Sequence, residues 1–494
     1  MTRPNIILIT TDQQRYDSLG IHGSEFMRTP NMDRIGREGA VFTNAFCPNP
    51  VCTPSRVSMM TGFHLSRHGS YNIGTRPPDY SMFLSSILRQ SGYRTHHIGK
   101  AHWHPWEAPS PETRKPDEAG SPFLDFAGFE SAELSVGHAT WGVQGHYASW
   151  LLNKGIDPMS YKVNRLFERD YYETGDWELP QAFHSGSWLA ERAVDFLGSQ
   201  AASQPFFLNL GFQDPHHPHV LPYDFENRVD PLKVSLPDTV SFSASDVPEH
   251  IPHFRSGTLI DSRFNGTFEM AGNGRYAWGS YFSDSTKARM TRAYYYSMIQ
   301  LIDEQLGIIL QALDDLGLAD TTLLVFTSDH GEMLGDHGIG QKGPLTYNGV
   351  THIPLLIRYP AGFKPCQIDS CVSLVDLLPT LLGFASIDDS IRRDGISLMT
   401  TLQARNPLER SGVRIEYKEE ADRIRYKCWV TEDWKLALYP GETFGELYDR
   451  KRDADERRNL FNDPAYQEIK MKLTIELLGD LERSEPLNIR PSRV

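Results

Sequence analysis

The stretch Asn5-Ile6-Ile7-Leu8-Ile9-Thr10-Thr11-Asp12 (residues 5–12) decides the fold class of this chain. Its continuous run of aliphatic and β-branched residues predicts a strand that is buried on both faces, as in a parallel sheet covered by helices. Ligands of such sheets bind outside the carboxyl ends of the strands. Because Asp12 stands at that end, the stretch predicts an α/β domain and also marks the functional edge of its sheet.

Further predicted strands follow along the chain, and predicted helices separate them. The predicted strands cover residues 41–46, 93–98, 206–211 and 322–327, and the predicted helices cover 30–40, 53–61, 84–91, 188–197 and 289–316. This alternation predicts a large, mostly parallel sheet flanked by helices. Residues 101–180 and 214–285 lack periodicity and are expected to form irregular, recognition-type loops.

The pattern changes near residue 372. After one more helix at 375–382, strands are predicted in succession at 413–418, 425–431 and 434–439, and a final helix at 464–481. Strands without intervening helices indicate a small antiparallel sheet, here closed by the last helix. We therefore divide the chain into a catalytic α/β domain, residues 1–371, and a C-terminal subdomain, residues 372–494.

Composition limits the class of protein. The 494 residues are 39% hydrophobic and 23% charged, with a formal net charge of −14, which is globular and argues against nucleic acid as the main partner. The apolar run Ile6–Ile9 is shorter than the roughly 7–15 residues of a secretory leader or the roughly 18 of a membrane span. We expect no membrane association and a cytoplasmic location. Five cysteines are too few for a disulfide framework, although Cys366 and Cys371 are close enough in sequence to pair.

The most specific motif is Cys52-Thr53-Pro54-Ser55-Arg56. Taken alone, Cys52 could be a buried structural cysteine at the start of a helix. The motif resembles the formylglycine-dependent sulfatases, in which the Cys of Cys-x-Pro-x-Arg is oxidised by a maturation enzyme. The resemblance implies that Cys52 becomes an aldehyde hydrate, of which one hydroxyl attacks sulfur and the other later loses its proton to expel sulfate. A serine would be left holding an inert ester.

Two further motifs resemble the metal-binding segments of that family. Asp12-Gln13 stands where the family usually has two aspartates, and Asp329-His330 resembles the second segment. The resemblance implies one divalent metal, and its ligands would be Asp12, Gln13, Cys52, Asp329 and His330. The Gln13 amide oxygen would substitute for a carboxylate. Oxygen ligands favour calcium, whereas His330 leaves manganese and zinc open.

The remaining motifs occur in family order. Lys100-Ala101-His102 resembles the family's Lys-x-His, Pro215-His216-His217-Pro218 its Pro-His-x-Pro, and Lys342 its second lysine. By resemblance, His216 is the acid for the leaving oxygen and His102 takes the proton that triggers sulfate release. Lys100 and Lys342, together with Arg56, hold the sulfate. Each histidine and lysine, taken alone, could equally be a loop residue.

The resemblance implies an alkaline-phosphatase-like fold and hydrolysis of a sulfate ester to an alcohol and inorganic sulfate. The nearest alternative is a phosphonate monoester or phosphodiester hydrolase of the same superfamily, although Lys-x-His favours sulfate. Two other classes are a metal-dependent phosphatase using unmodified Cys52 or Thr53, and an inactive binding module. The sequence does not predict the oligomeric state or whether the alcohol is a sugar, aryl or alkyl group. Five tryptophans of the irregular region could stack on a sugar or form core: Trp103, Trp106, Trp141, Trp150 and Trp177.

Overall fold

The computed structural model describes residues 3–485, except 74, 78, 106–109, 118, 138–141, 168–171, 201–203, 242–246, 257–277 and 419–423. Its strands are β1 (Asn5–Thr11), β2 (Ala40–Phe42), β3 (Ala45–Phe46), β4 (Arg94–Gly99), β5 (Phe123–Phe126), β6 (Phe129–Val136), β7 (Val163–Arg165), β8 (Gly175–Trp177), β9 (Phe206–Gly211), β10 (Val220–Pro222), β11 (Thr322–Ser328), β12 (Leu355–Arg358), β13 (Cys366–Ile368), β14 (Val372–Ser373), β15 (Gly412–Lys418), β16 (Arg425–Thr431), β17 (Trp434–Leu438) and β18 (Gly445–Asp449). Its α-helices are α1 (Pro30–Arg37), α2 (Cys52–Thr61), α3 (Leu65–His68), α4 (Leu84–Gln90), α5 (Gly145–Asn153), α6 (Ser185–Gly198), α7 (Ile251–Ser256), α8 (Trp278–Ser283), α9 (Ser285–Asp315), α10 (Asn348–Thr351), α11 (Leu377–Phe384), α12 (Met399–Ala404) and α13 (Gln467–Arg483).

The large sheet contains nine of the described strands, in the order β13-β2-β12-β11-β1-β9-β4-β6-β5. Its central strands β11, β1, β9, β4 and β6 run parallel, whereas β12 is antiparallel to both its neighbours and β5 is antiparallel to β6. The sheet is therefore mixed, with a parallel centre. The predicted α/β fold with a large sheet flanked by helices is confirmed.

Side chains of β1 alternate between two apolar layers, one on each face of the sheet. Ile6 and Leu8 pack in the layer that also contains α2, α4 and α11, whereas Ile7 and Ile9 pack in the layer that contains α6 and α9. Both layers exclude water from these side chains, which are 0% exposed. Covering on two faces explains why β1 is apolar throughout rather than alternating.

The C-terminal antiparallel sheet has the order β15-β16-β17-β18. Helix α13 covers one face, where Leu473 and Leu477 pack against Trp429, Leu436 and Leu447. The prediction of a small antiparallel sheet with a terminal helix is confirmed, although β18 was missing from it. The domain boundary after residue 371 stays a prediction.

Buried polar contacts join this small sheet to the segment that follows Lys342. Lys435 Nζ donates to Thr346 O at 2.9 Å and to Asn348 Oδ1 at 2.7 Å. Thr346 Oγ1 donates to Glu446 Oε2 at 2.9 Å, and Asn348 N donates to Glu456 Oε2 at 2.7 Å. The C-terminal sheet and the segment after it therefore hold Thr346 and Asn348, which follow Lys342 in the chain.

The expectation that residues 101–180 are irregular was wrong in part. That region contains β5 and β6, which extend the large sheet, together with α5, β7 and β8. The two sheet strands carry polar residues such as Glu130 and Ser131 next to Phe129 because they lie near the edge, and this dilutes the apolar pattern. Trp103 and Trp177 are buried core residues, whereas Trp106 and Trp141 lie outside the described residues.

The structure also bears on the possible pairing of two cysteines and on helices that could cross a membrane. All five cysteines are free thiols, so Cys366 and Cys371 do not pair. Among the described residues, no helix combines the length and the apolar character that crossing a membrane requires.

Candidate active site

Three neighbouring strands end side by side and place the candidate residues together. The register of β1 and β11 pairs Thr11 with Ser328, so Asp12 and Asp329 leave the sheet as neighbours. On the other side of β1, strand β9 leads into Asp214, whose carbonyl oxygen accepts a hydrogen bond from Asp12 N at 3.1 Å. Asp12, Asp329 and Asp214 therefore lie at the carboxyl end of β1, the edge of the sheet at which the sequence predicts the functional site.

Lys100 emerges one strand farther along. Gly99 ends β4 with φ +103°, and a Cβ atom there would lie 2.1 Å from the carbonyl oxygen of Gly211. Only glycine tolerates both conditions. The chain can therefore turn at this point, and Lys100 N donates to Gly211 O at 2.7 Å.

Cys52 is the first residue of helix α2 and lies at the centre of the cluster. Its Sγ is 3.2 Å from His330 Nε2, 3.3 Å from Lys342 Nζ and 3.8 Å from Asp12 Oδ1. Burial and Asp12 raise the pKa of the thiol, but Lys342, His330 and Lys100 outweigh them, so that the net pKa is lowered. Cys52 is completely buried.

Four groups are suitable as metal ligands. One oxygen each of Asp12 and Asp329, one ring nitrogen of His330 and Cys52 Sγ all lie within 4.8 Å of one another. Nδ1 of His330 faces the Gly331 carbonyl oxygen at 2.9 Å, which leaves Nε2 with a lone pair toward the cluster. Two carboxylates and an imidazole nitrogen, converging and buried, fit a divalent cation.

Three basic side chains surround these acids. Arg56 donates from Nε to Asp329 Oδ2 at 2.8 Å and from Nη2 to Asp12 Oδ2 at 3.3 Å, and Lys100 Nζ lies 2.5 Å from Asp12 Oδ2. Burial raises the pKa of Asp12, but Lys100, Lys342 and Arg56 together lower it by more, so that the net pKa lies well below the usual value. The positive charge that the acidic composition lacks is thus concentrated at the site.

Gln13 lies among the same groups. Its backbone has φ 71°, and its N–H donates to Asp329 Oδ1 at 3.0 Å. Its Oε1 accepts from Lys342 Nζ at 2.5 Å, and its Nε2 donates to Glu332. The amide oxygen therefore faces the cluster.

His102 lies beside helix α2, which begins at Cys52, because Thr53 Oγ1 donates to His102 O at 2.9 Å. Burial and then Lys100 lower the pKa of its imidazole to well below the usual value. Glu112 holds the loop by accepting from the backbone N–H groups of His102, Trp103 and His104 at 3.0, 2.7 and 2.9 Å. No pattern in the irregular region pointed to Glu112.

His216 lies in the loop that follows β9. Its Nδ1 is 2.6 Å from His217 O, and its ring stacks on that of His217 with centroids 4.1 Å apart. His217 Nε2 lies 3.5 Å from Gln341 Nε2, next to Lys342. Burial, and then the charge of Asp12, raises the pKa of the neighbouring Asp214 to about 7.

These contacts join eight residues into one cluster: Asp12, Gln13, Cys52, Arg56, Lys100, Asp329, His330 and Lys342. The two histidines predicted as acid and base lie in the adjoining loops. Glu332 belongs to the same cluster, and sequence reasoning assigned it no role. Its signal was its position two residues after His330 on the same exit from β11.

Comparison with known proteins decides the family. The family model described as Sulfatase matches residues 4–387. The chain belongs to the sulfatase family. A second model, described as N-sulphoglucosamine sulphohydrolase, C-terminal, matches residues 335–483 of this sulfatase.

Individual proteins resemble this sulfatase over nearly its whole length. An arylsulfatase of Clostridium perfringens is 29% identical, covering 98% of this chain and 95% of the relative. An N-acetylglucosamine-6-O-sulfatase of Bacteroides thetaiotaomicron is 26% identical, covering 97% and 86%. The crystal structure of a phosphonate monoester hydrolase of Agrobacterium radiobacter superposes with a TM-score of 0.75 at 24% identity, covering 98% and 96%. The fold is that of the alkaline phosphatase superfamily, and the chain is a sulfuric ester hydrolase.

Proposed function

We propose that this sulfatase cleaves the S–O bond of a sulfated carbohydrate with residue 52, converted from Cys52 to formylglycine by a maturation enzyme. The observation that carries the proposal is the position of Cys52 Sγ, which lies within 4 Å of His330, Lys342 and Asp12. A formylglycine hydrate supplies one hydroxyl to attack sulfur and a second whose deprotonation expels sulfate. Nucleophile, metal ligands and cations then share one buried site.

A divalent metal held by Asp12, Gln13, Asp329, His330 and residue 52 would supply positive charge beside the sulfuryl group. The oxygen-rich ligand set supports calcium, and His330 makes manganese and zinc the ions to test against it. Arg56 spans Asp12 and Asp329 and thereby keeps both carboxylates directed at one point.

Lys100 and Lys342 hold the negative charge that spreads over the sulfuryl oxygens during transfer. Such transfers depend mainly on positioning and charge stabilisation, by analogy with phosphoryl transfer. Lys342 Nζ lies 3.3 Å from Cys52 Sγ, so it also sits close to the attacking atom. Burial, which lowers the pKa of Lys342, is outweighed by Cys52, Asp12 and Asp329, and the net pKa is raised, so its charge persists.

The two histidines take opposite roles in proton transfer. Nδ1 of His216 donates to the His217 carbonyl oxygen, so a neutral ring has only a lone pair at Nε2. His216 can therefore give a proton from Nε2 to the leaving oxygen only in its doubly protonated, imidazolium form. His102 has a lowered pKa and is therefore neutral near pH 7, as a base must be to accept the proton whose loss expels sulfate.

The carbohydrate part of the proposal is supported by the likeness to N-acetylglucosamine-6-O-sulfatase over 97% of this chain. The second candidate is a phosphonate monoester hydrolase, which is favoured by the similar fold of the Agrobacterium enzyme. Lys100 and His102, in the Lys-x-His pattern, favour the sulfatase.

The experiment has two parts. Intact mass of protein coexpressed with a maturation enzyme should show residue 52 lacking sulfur and two hydrogens and carrying one added oxygen. The same protein is then assayed on N-acetylglucosamine 6-sulfate, an aryl sulfate, choline sulfate and a phosphonate monoester. We expect the highest kcat/KM for the sugar sulfate; a higher value for the phosphonate would favour the second candidate.

A further inference from the structure

The Glu332 side chain is completely buried. In each of the four contacts that follow, its carboxylate accepts a hydrogen bond. Its Oε1 accepts from Tyr172 OH at 3.0 Å, Leu334 N at 2.9 Å and Gln341 N at 2.5 Å. Its Oε2 accepts from Gln13 Nε2. Two of its donors are backbone groups, so the carboxylate is held in place by the chain itself.

The Gln13 amide has two different ends, and each end has a partner of fixed chemistry. Lys342 Nζ carries only donors, so the end that faces it must be the oxygen, 2.5 Å away. Glu332 Oε2 is the acceptor in its contact with Gln13, as Oε1 is toward its three other donors, so the end of the amide that faces it is the nitrogen. The two contacts therefore require the same orientation of the amide.

We propose that Glu332 is a positioning residue that fixes the Gln13 side chain with its amide oxygen toward Lys342 and the metal ligands. This inference rests on the proposed metal site. An amide that turns over would present its NH₂ group, which cannot bind a cation. A carboxylate at position 13 has two equivalent oxygens and needs no such partner, so Glu332 is what makes glutamine workable there.

The variant Glu332→Gln keeps the size of the side chain but places a hydrogen-bond donor, instead of an acceptor, opposite Gln13. The three donors on Oε1 retain the new amide's oxygen at that position, so its nitrogen faces Gln13. Gln13 must then turn over to accept from it and present NH₂ to the cluster. The double variant Gln13→Glu, Glu332→Gln restores a matched pair, because residue 13 then offers an oxygen in both directions.

The test is calorimetric titration of Ca²⁺ into metal-stripped protein, which needs no substrate. Loss of a partner that orients a metal ligand typically weakens metal affinity by about 10–100-fold. We expect that loss for Glu332→Gln and recovery of most of the parent's affinity in the double variant. Glu133→Gln, a buried carboxylate on β6 outside the site, should bind Ca²⁺ like the parent.

Parent-like affinity of Glu332→Gln, or a double variant no better than the single one, would overturn the inference. If Glu332→Gln does not fold, the double variant must fold and bind Ca²⁺, since it restores the pairing; failure of both also overturns it. The variant Asp329→Asn distinguishes a failure of the proposed metal site from a failure of the role proposed for Glu332. Equal Ca²⁺ affinity of parent and Asp329→Asn would refute the metal site itself, whereas loss in Asp329→Asn without loss in Glu332→Gln would refute only the role of Glu332.

Discussion

Nε of Arg56 donates to Oδ2 of Asp329 at 2.8 Å, although 273 positions separate the two residues in sequence. Arg56 lies four residues after Cys52, one turn along helix α2, so both side chains project toward the strand ends. The pair is buried, with side-chain exposures of 3% and 0%. The motif that contains Cys52 therefore also supplies a positive charge to Asp12 and Asp329, two of the proposed metal ligands.

We expect Arg56→Ala to destabilise the metal-free protein by about 3–5 kcal/mol, because two buried carboxylates lose a shared partner. Denaturant unfolding measures this. The control is Arg89→Ala, which removes an exposed ion pair with Asp125 and should cost at most about 1 kcal/mol. Added Ca²⁺ should reduce the difference in the free energy of unfolding between the parent and Arg56→Ala. Equal losses in the two variants would contradict the prediction.

Removing the metal should remove most of the activity. Chelation, or Asp329→Asn, is expected to lower kcat/KM by about 100-fold or more, because several kcal/mol of charge stabilisation are lost. Initial rates before and after dialysis against chelator measure this, and readdition of metal should restore the parent. The exposed Asp315→Asn on α9 is the control and should keep the parent rate. A stripped enzyme with full activity would refute the metal site.

The two histidines should fail in different ways. His216→Ala should slow hydrolysis of an alkyl or sugar sulfate far more than that of an activated aryl sulfate, whose phenolate leaves without an acid. His102→Ala should bring both substrates to one slow rate after a burst of alcohol or phenol, because sulfate release becomes limiting. Stopped-flow and steady-state assays distinguish these patterns. The opposite assignment of burst and leaving-group dependence would exchange the two roles.

Asp214 should make stability depend on pH. Burial raises the pKa of this carboxyl from 3.8 to about 7, so the folded protein holds a proton that the unfolded chain releases between these values. Stability conferred by that proton is lost as the pH rises toward about 7, by at most about 1.4 kcal/mol per pH unit. The variant Asp214→Asn has no titrating carboxyl at this position and therefore lacks this pH-dependent contribution to stability. It keeps the backbone carbonyl oxygen that accepts from Asp12 N.

Denaturant unfolding of both proteins at about pH 5 and about pH 7.5 tests this, because other titrating groups cancel in the difference. The parent should lose stability relative to Asp214→Asn as the pH rises. A difference that is constant over this range would show that Asp214 titrates normally.

Much of the fold and site could be predicted because the decisive residues follow buried strands. Asp12 and Asp329 each come directly after an apolar run, Lys100 directly follows strand β4, and the pairing of these strands with their neighbours brings the three residues together. Strands β5 and β6 were missed because polar residues near the sheet edge break their pattern. Glu112 could not be predicted, since it accepts from backbone N–H groups of a loop that carries no periodic signal. The pairing of Gln13 with Glu332 could not be predicted either, since it depends on two side chains that meet after separate strands.

The central claim is that residue 52 is the nucleophile, and sulfate release by Cys52→Ala tests it most directly. Inorganic sulfate is measured for the parent and the variant, both produced with the maturation enzyme, on the best sulfate ester. We predict no turnover above background for Cys52→Ala with an unchanged thermal midpoint, and a slowed, sulfate-trapping enzyme for Cys52→Ser. Sulfate release by Cys52→Ala at a rate comparable to the parent would contradict the account.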